Sequence, residues 1–468
     1  MQTAPKKELT LFDSTCLIMG IIIGVGIYQL TPTITGGSFS WWGAMLLWVA
    51  GGVISLCGAL GYAELATAYP REGGDYVYLT RAYGGWAGFM FGWVQLAIVR
   101  PGDIAVPAFA FAMYAKAIYD PLAATIYDPA AGATTFPYMQ AIYACAAAIV
   151  LTLVNVLGVR EGKWTQNLLV VVKVLGLLAI VGVAMFAPAV TPNPDAKPPE
   201  FSLSGLSLAL ILVLFTFGGW NEMAYVAAEV KNPKRNIVRA LVLGTVAVTA
   251  IYLLVNAAFF HALGYGGTAG SKAVAVDTVN AVVPDLGGTL FPGLGGALIS
   301  ALICISALGA VNGLVFTGAR ISYAVGSEHR VFGYLGRWNE RTGTPVRALL
   351  VQGAIAVALI IVLGSFVDAI IYTACVVHSF YLATSLAVIV LRRKEPEVER
   401  PYRVTGYPIP TILFSVVCAY LIYRAVIYKP EISLVSLGIA LAGLPIYWLT
   451  MPWRVKGEPV DAVETTDG

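Results

Sequence analysis

Phe215-Thr216-Phe217-Gly218-Gly219-Trp220-Asn221-Glu222 lies in the middle of an otherwise apolar run from residue 203 to 230. Two adjacent glycines let the backbone leave helical geometry at little steric cost. Asn221 and Glu222 are strongly polar, and groups of that kind inside an apolar span require protein or water partners. A second interruption, Gly24-Val25-Gly26, splits the Ile-rich run from 12 to 35. By itself a G-x-G is more often a close-packing site between helices. Two interruptions in the first and sixth apolar runs are what an inverted five-helix repeat produces, and such a pair points to the binding site of a secondary transporter.

Composition supports a bilayer setting. The chain has 468 residues, of which 58% are hydrophobic and only 12% charged, with a mean hydropathy of +0.77, whereas a soluble domain carries roughly 25% charged residues. The net charge of +3 is small and the basic residues sit in short loops, so no nucleic-acid surface is indicated. Six cysteines (Cys16, Cys57, Cys145, Cys304, Cys375, Cys418) are scattered through apolar runs without C-x-x-C spacing. They read as packing residues, not as a disulfide framework. Three distant histidines, His261, His329 and His378, offer no metal cluster, and no cofactor motif is present.

A membrane-crossing helix needs about 20 mostly apolar residues. Runs of that kind give about twelve spans: 12–35, 41–66, 84–117, 137–158, 165–187, 203–230, 238–262, 291–325, 346–365, 367–391, 409–427 and 432–452. With a cytoplasmic N-terminus the outer loops carry only Lys116, Lys197, Lys272, Arg424 and Lys429, and nearly all other Lys and Arg fall inside. That asymmetry places both termini in the cytoplasm of an inner (plasma) membrane protein. Lys6 and Lys7 precede a first run too long for a cleaved signal sequence, which is therefore read as a retained span. Segment 392–408 is a charged, Pro-rich cytoplasmic linker, and the polar tail at 454–468 is expected to be disordered.

A helix broken in mid-membrane exposes free N–H groups at the start of one half and free carbonyls at the end of the other, reinforced by the helix dipoles. An α-amino acid zwitterion carries matching charges. Its carboxylate would sit on the amides of Gly24, Val25 and Gly26, and its ammonium would face carbonyls of Ile22, Phe215 and Gly218. Phe215 is placed to act as a lid, although a lone Phe in an apolar helix is commonly core or lipid-facing.

The residues that frame this site resemble the amino acid–polyamine–organocation superfamily, and within it the L-type amino-acid transporter branch. The likeness spans nearly the whole chain: Ile23-Gly24-Val25-Gly26-Ile27, Tyr62-Ala63-Glu64-Leu65, Arg71-Glu72-Gly73-Gly74-Asp75-Tyr76, Arg100-Pro101, Phe217-Gly218-Gly219-Trp220-Asn221, Glu229-Val230-Lys231-Asn232-Pro233-Lys234-Arg235, Gly309-Ala310-Val311-Asn312-Gly313 with Arg320, and Glu399-Arg400-Pro401-Tyr402. The resemblance implies an all-α LeuT-like fold with discontinuous spans 1 and 6 and alternating access. Its parts would be a first inverted repeat (1–187), a second (188–391), the linker, two added helices (409–453) and the tail. It also implies substrate contacts at Ile22, Gly24, Val25, Gly26, Phe215, Gly218 and Asn221. Relatives often carry Ser where Val25 stands, so this chain keeps the amide but lacks the hydroxyl. Animal members pair with a glycoprotein heavy chain through a Cys after span 3. Tyr119 to Phe136 contains no Cys, so no disulfide-linked partner is expected.

Several polar residues within spans have both structural and functional readings. Lys173 lies about nine residues into span 5, about 13 Å deep at about 1.5 Å per residue. Either it is a partly hydrated structural lysine, or, as the resemblance implies, its ammonium bridges carbonyls of spans 1 and 8 where sodium-coupled relatives hold an ion. Arg100 and Asp103 are spaced for a same-face ion pair that favours a structural role over substrate contact, with Pro101 kinking the helix. Glu222 is read as capping the inner half of span 6, with proton movement as the alternative, and Trp220 as a pocket or gating residue. His378 is read as a packing histidine, or as a pocket residue of span 10. Glu64 and Glu229 suit intracellular gating pairs or a solvated face.

The function expected is a secondary-active, sodium-independent transporter, most simply an exchanger of L-amino acids, and not an enzyme. Neutral substrates are expected because no span supplies an unpaired acidic group suited to a cationic side chain. A proton-coupled symporter, a cationic amino-acid or polyamine carrier, and a non-transporting receptor or channel are the alternatives.

Overall fold

The computed structural model describes residues 7–71, 73–119, 139–187, 202–271, 273–282, 294–363, 366–428 and 430–450. The tail at 454–468 and most of the loop from Tyr119 to Phe136 lie outside them. Among the described residues there is no strand, only isolated bridges pairing Leu9 with Val230 and Asn339 with Thr344. In hydrocarbon every backbone N–H and C=O must be satisfied within its own segment, which is why apolar runs of this length form helices. Eleven described helices are long and apolar enough to cross a membrane. The span expected at 346–365 is represented by a shorter apolar helix, Val346–Val362.

Enclosure separates the central spans from the peripheral ones. Spans 1 (Leu11–Gln29), 3 (Gly85–Lys116) and 8 (Gly296–Ser327) each bury 72% of their most apolar window, against 28% for spans 5 (Trp164–Ala184) and 12 (Pro430–Thr450). The core therefore sits where spans 1, 3 and 8 meet, with span 6 (Leu203–Glu229) beside them. Lys173 is fully buried in one of the most exposed spans, so it lies on the inward stripe of span 5.

Span 1 opens on a capping box, in which Thr10 accepts from the Asp13 amide and Asp13 accepts from the Thr10 amide. Its first helix, Leu11–Ile22, ends where Ile23 turns to φ −73°, ψ 76°, and helix resumes at Gly26–Gln29 and Thr31–Gly37. Span 6 runs as α-helix from Leu203 to Thr216 and resumes as a 3₁₀ segment, Trp220–Glu229. The hinge is Gly219, at φ +106°. A Cβ there would stand 2.4 Å from Ile21 Cγ2, so glycine is required both by the backbone and by the close approach of the two broken helices.

Span 3 departs from regular α-helix just before Pro101. It carries a π-helical turn, Gln95–Val99, immediately before Arg100. Proline lacks an N–H and crowds the carbonyl four residues back, here Ala97, and widening the preceding turn accommodates both.

At one end the first residues join span 6. The amides of Glu8 and Leu9 both donate to Glu229 O at 2.9 Å, and the Lys231 amide donates to Leu9 O at 2.8 Å. Glu229 also receives Arg320 Nε at 2.8 Å, and Glu64 receives Arg392 Nε and the Val404 amide at 2.8 and 2.7 Å. Both carboxylates are buried. Each is therefore an ion-pair partner and not a solvated face.

Candidate substrate site between the broken helices

A cavity of about 130 Å³ opens between the two breaks. Ile22, Gly24, Val25 and Gly26 line it from span 1, and Phe215, Gly218 and Glu222 from span 6. Span 3 contributes Asp103, Val106 and Pro107, and span 10 contributes His378 and Tyr381. The two interruptions, remote in sequence, thus face one space.

Backbone satisfaction within the breaks departs in detail from the sequence expectation. The Gly24 amide donates to Ile22 O at 2.7 Å and is occupied. Among the described residues, the amides of Val25, Gly26 and Ile27 meet no acceptor. The run of open amides is therefore shifted by one residue from Gly24–Gly26 to Val25–Ile27, because the chain makes a tight turn at Ile22–Gly24 before the outer half-helix begins. The Ile22 carbonyl already receives both the Gly24 amide and the Tyr252 hydroxyl, at 2.8 Å for the latter, which fills its two lone pairs. Phe215 O likewise receives the Gly218 amide at 2.9 Å. Ile22 and Phe215 are thus weaker ammonium acceptors than their positions suggest.

The second cluster lies behind span 1. Lys173 Nζ donates to Gly20 O at 2.8 Å, Ile23 O at 2.7 Å and Ser306 O at 3.0 Å. Three acceptors match the three donors of an ammonium group. Gly20 lies in the last turn of the inner half-helix of span 1, at the negative end of its dipole, so the lysine acts as a buried cationic cap. Ser306 Oγ donates to Ile23 O at 3.1 Å and to Gly24 O at 3.2 Å, and ties span 8 to the same break. Gly309 provides the room, since a Cβ there would stand 2.9 Å from Lys173 Nζ.

Arg100 does not pair with Asp103. Its Nη1 and Nη2 each donate to Glu222 at 2.8 Å and its Nε donates to Gln95 Oε1 at 2.9 Å, all buried. Glu222 also accepts from Thr317 Oγ1. The i,i+3 spacing is overridden because the fork geometry of a guanidinium is met bidentately by a carboxylate from another span. Glu222 is therefore an ion-pair partner and not a simple helix cap. Asp103 is left lining the cavity. No hydrogen bond or ion pair reaches its carboxylate among the described residues. An acidic group facing the substrate space is thus present, contrary to the expectation that no span supplies one.

Asn221 and Trp220 do not line the main cavity. Asn221 borders a small adjoining void, where its Nδ2 donates to Tyr225 Oη at 2.8 Å and its Oδ1 accepts from Tyr381 Oη at 2.9 Å. Trp220 is buried against Tyr62, Tyr381 and Phe414, with ring centroids 5.0, 5.5 and 5.6 Å away. The tight 3₁₀ winding after Gly219 turns both side chains away from the opening. His378 does line the cavity, with Nδ1 2.7 Å from Ala374 O, so Nδ1 carries the proton. Ser306, Tyr252 and Tyr381 escaped sequence reading because a single hydroxyl in an apolar helix carries no positional signal.

A carboxylate can be held by the open amides, and the cavity extends beyond them to walls supplied by spans 3 and 10. Comparisons with known proteins agree with that chemistry. The amino acid permease family matches residues 9–450. The b(0,+)-type amino acid transporter 1 of Homo sapiens is 30% identical over 457 residues, 97% of this chain and 89% of that protein. The Asc-type amino acid transporter 1 of Mus musculus is 30% identical over 462 residues, 97% and 83% of the two chains. The large neutral amino acids transporter small subunit 2 of Rattus norvegicus is 30% identical over 463 residues, 97% and 82%. The chain belongs to the amino acid permease family, in the L-type branch of the amino acid–polyamine–organocation superfamily, and is a multi-pass membrane transporter of amino acids, not an enzyme.

Proposed function

We propose that this transporter exchanges L-amino acids across the plasma (inner) membrane by alternating access, without sodium. The carrying observation is that two broken helices face one cavity bordered by Val25 and Gly26, whose amides have no partner. The substrate carboxylate binds there, and the ammonium lies toward the carbonyl ends of the inner half of span 1 and the outer half of span 6. Recognition of the main chain leaves selectivity to the walls. These are largely apolar, with Val25, Val106, Phe215 and Val377 among them, which suits neutral side chains.

Lys173 places an amine on the carbonyls of spans 1 and 8, so no ion need bind there for the break to be stable. Its three-donor geometry is that of the charged amine, which supports exchange over proton symport. Spans 1 to 5 and 6 to 10 act as the two inverted repeats, rocking about the site, with Glu229–Arg320 and Glu64–Arg392 as pairs at the cytoplasmic end. Both termini are cytoplasmic, and the transporter works without a disulfide-linked heavy chain, since Tyr119 to Phe136 holds no Cys.

The test is uptake of labelled leucine into proteoliposomes, with and without internal amino acid, a pH gradient and sodium. Exchange requires stimulation by internal amino acid and indifference to sodium. Uptake driven only by the pH gradient would establish symport instead.

A further inference from the structure

We propose that Asp103 forms a distal subsite that takes the cationic side chain of an α-amino acid, such as lysine or arginine. The proposal rests on the reading that the substrate's carboxylate sits at the span 1 break. Asp103 and the open amides of Val25 and Gly26 border the same cavity. A cationic amino acid held by its carboxylate at those amides therefore presents its side chain to a space that contains this carboxylate. Val106 and Pro107, on the same face of span 3, flank Asp103 with apolar surface that suits the methylene stem of such a side chain.

Local charges leave Asp103 as the group without a counterion. Arg100 and Glu222 neutralise each other through two parallel bonds of 2.8 Å, and the remaining Arg100 Nε is taken by Gln95. Lys173 is committed to three carbonyls behind span 1 and does not border the cavity. Asp103 and Glu222 line the cavity and Arg100 is paired to Glu222 behind it, so the three charges sum to one negative charge. An enclosed carboxylate without a partner is costly, and an ammonium or guanidinium group relieves that cost on entering. The bidentate Arg100–Glu222 pair also keeps Arg100 from collapsing onto Asp103, so it positions the subsite by holding it open.

The experiment measures exchange of labelled lysine, arginine and leucine by the purified full-length transporter in proteoliposomes, for wild type, D103N and D103E. Wild type is expected to carry lysine and arginine as well as leucine. Loss of a charge-assisted hydrogen bond predicts that D103N lowers the lysine-to-leucine ratio of kcat/KM by at least about 10-fold, with D103E retaining more of it. Thermal stabilisation of detergent-solubilised D103N by leucine verifies that the variant is folded. Wild type that exchanges leucine but refuses both cationic amino acids would overturn the subsite, as would a ratio unchanged in D103N. Leucine exchange that depends on protons in wild type and loses that dependence in D103N would assign the carboxylate a proton in place of a substrate, and overturn it too. Absence of exchange for every amino acid would overturn the zwitterion reading first, and the subsite with it.

Discussion

Replacing Lys173 by alanine or methionine tests the claim that a fixed charge substitutes for a bound ion. The ammonium makes three bonds of 2.7 to 3.0 Å and is fully buried. Ile23 O keeps a donor in Ser306 Oγ, so the uncompensated losses fall on Gly20 O and Ser306 O. Two charged hydrogen bonds at about 1.5–3 kcal/mol each give a gross loss of about 3–6 kcal/mol. Removing the desolvation cost of the buried ammonium offsets part of this, leaving on the order of 3 kcal/mol. If that stabilisation belongs to one conformation of the transport cycle, the equilibrium between conformations shifts roughly 100-fold. Exchange of leucine in proteoliposomes is expected to slow by about that factor in both variants. Methionine keeps the stem packed against Gly309, so comparing the two separates lost charge from lost volume. An unchanged exchange rate and pH dependence in both variants would refute the role given to Lys173.

Other residues give independent tests. Gly219→Ala combines a left-handed φ with a Cβ 2.4 Å from Ile21, and is expected to destabilise by about 2–4 kcal/mol, read as a lower Tm in detergent. Arg100→Met leaves Glu222 buried without its cation and should cost about 3–5 kcal/mol, while adding Glu222→Leu should recover much of it in a thermal double-mutant cycle. Asp75, at the start of the helix Asp75–Tyr83 that follows span 2, is pushed up to about 6 by burial, against the hydroxyls of Thr384, Tyr62 and Tyr225 that favour its charge. A carboxyl raised in the folded state holds more protons folded than unfolded, so its contribution is most favourable below the unfolded value of 3.8 and is lost as pH rises through about 6. Asp75→Asn should remove that slope, so that the wild-type Tm falls relative to the variant's as pH is raised through this window.

Asp103 shows where local reasoning stops. Spacing along span 3 offered Arg100 as its partner, and the tertiary structure instead gives Arg100 to Glu222, 122 residues away. An i,i+3 pair is worth a few tenths of a kcal/mol, whereas a buried bidentate pair dominates any choice a guanidinium has. Asn221 shows the same limit from the backbone side. Its place beside two glycines was legible, but the 3₁₀ winding that turns it toward Tyr225 and Tyr381 depends on how span 6 packs against spans 2 and 10. The one-residue shift of the open amides, from 24–26 to 25–27, likewise depends on a turn geometry that G-x-G permits without specifying.

By itself the sequence determined what is written in local physics. Apolar runs long enough to need internally satisfied backbone specify membrane helices. Gly24-Val25-Gly26 and Gly218-Gly219 mark where two of those helices break, with glycine demanded at Gly219 by a left-handed φ and a close contact and at Gly26 by the close approach of Thr216. A charge as deep as Lys173 announced that it must have partners. Which partners these are was decided only in three dimensions: three carbonyls from spans 1 and 8 for Lys173, Glu222 for Arg100, and an open cavity for Asp103. Burial obliges a charge to be met, but the group that meets it comes from whichever helix the packing brings alongside.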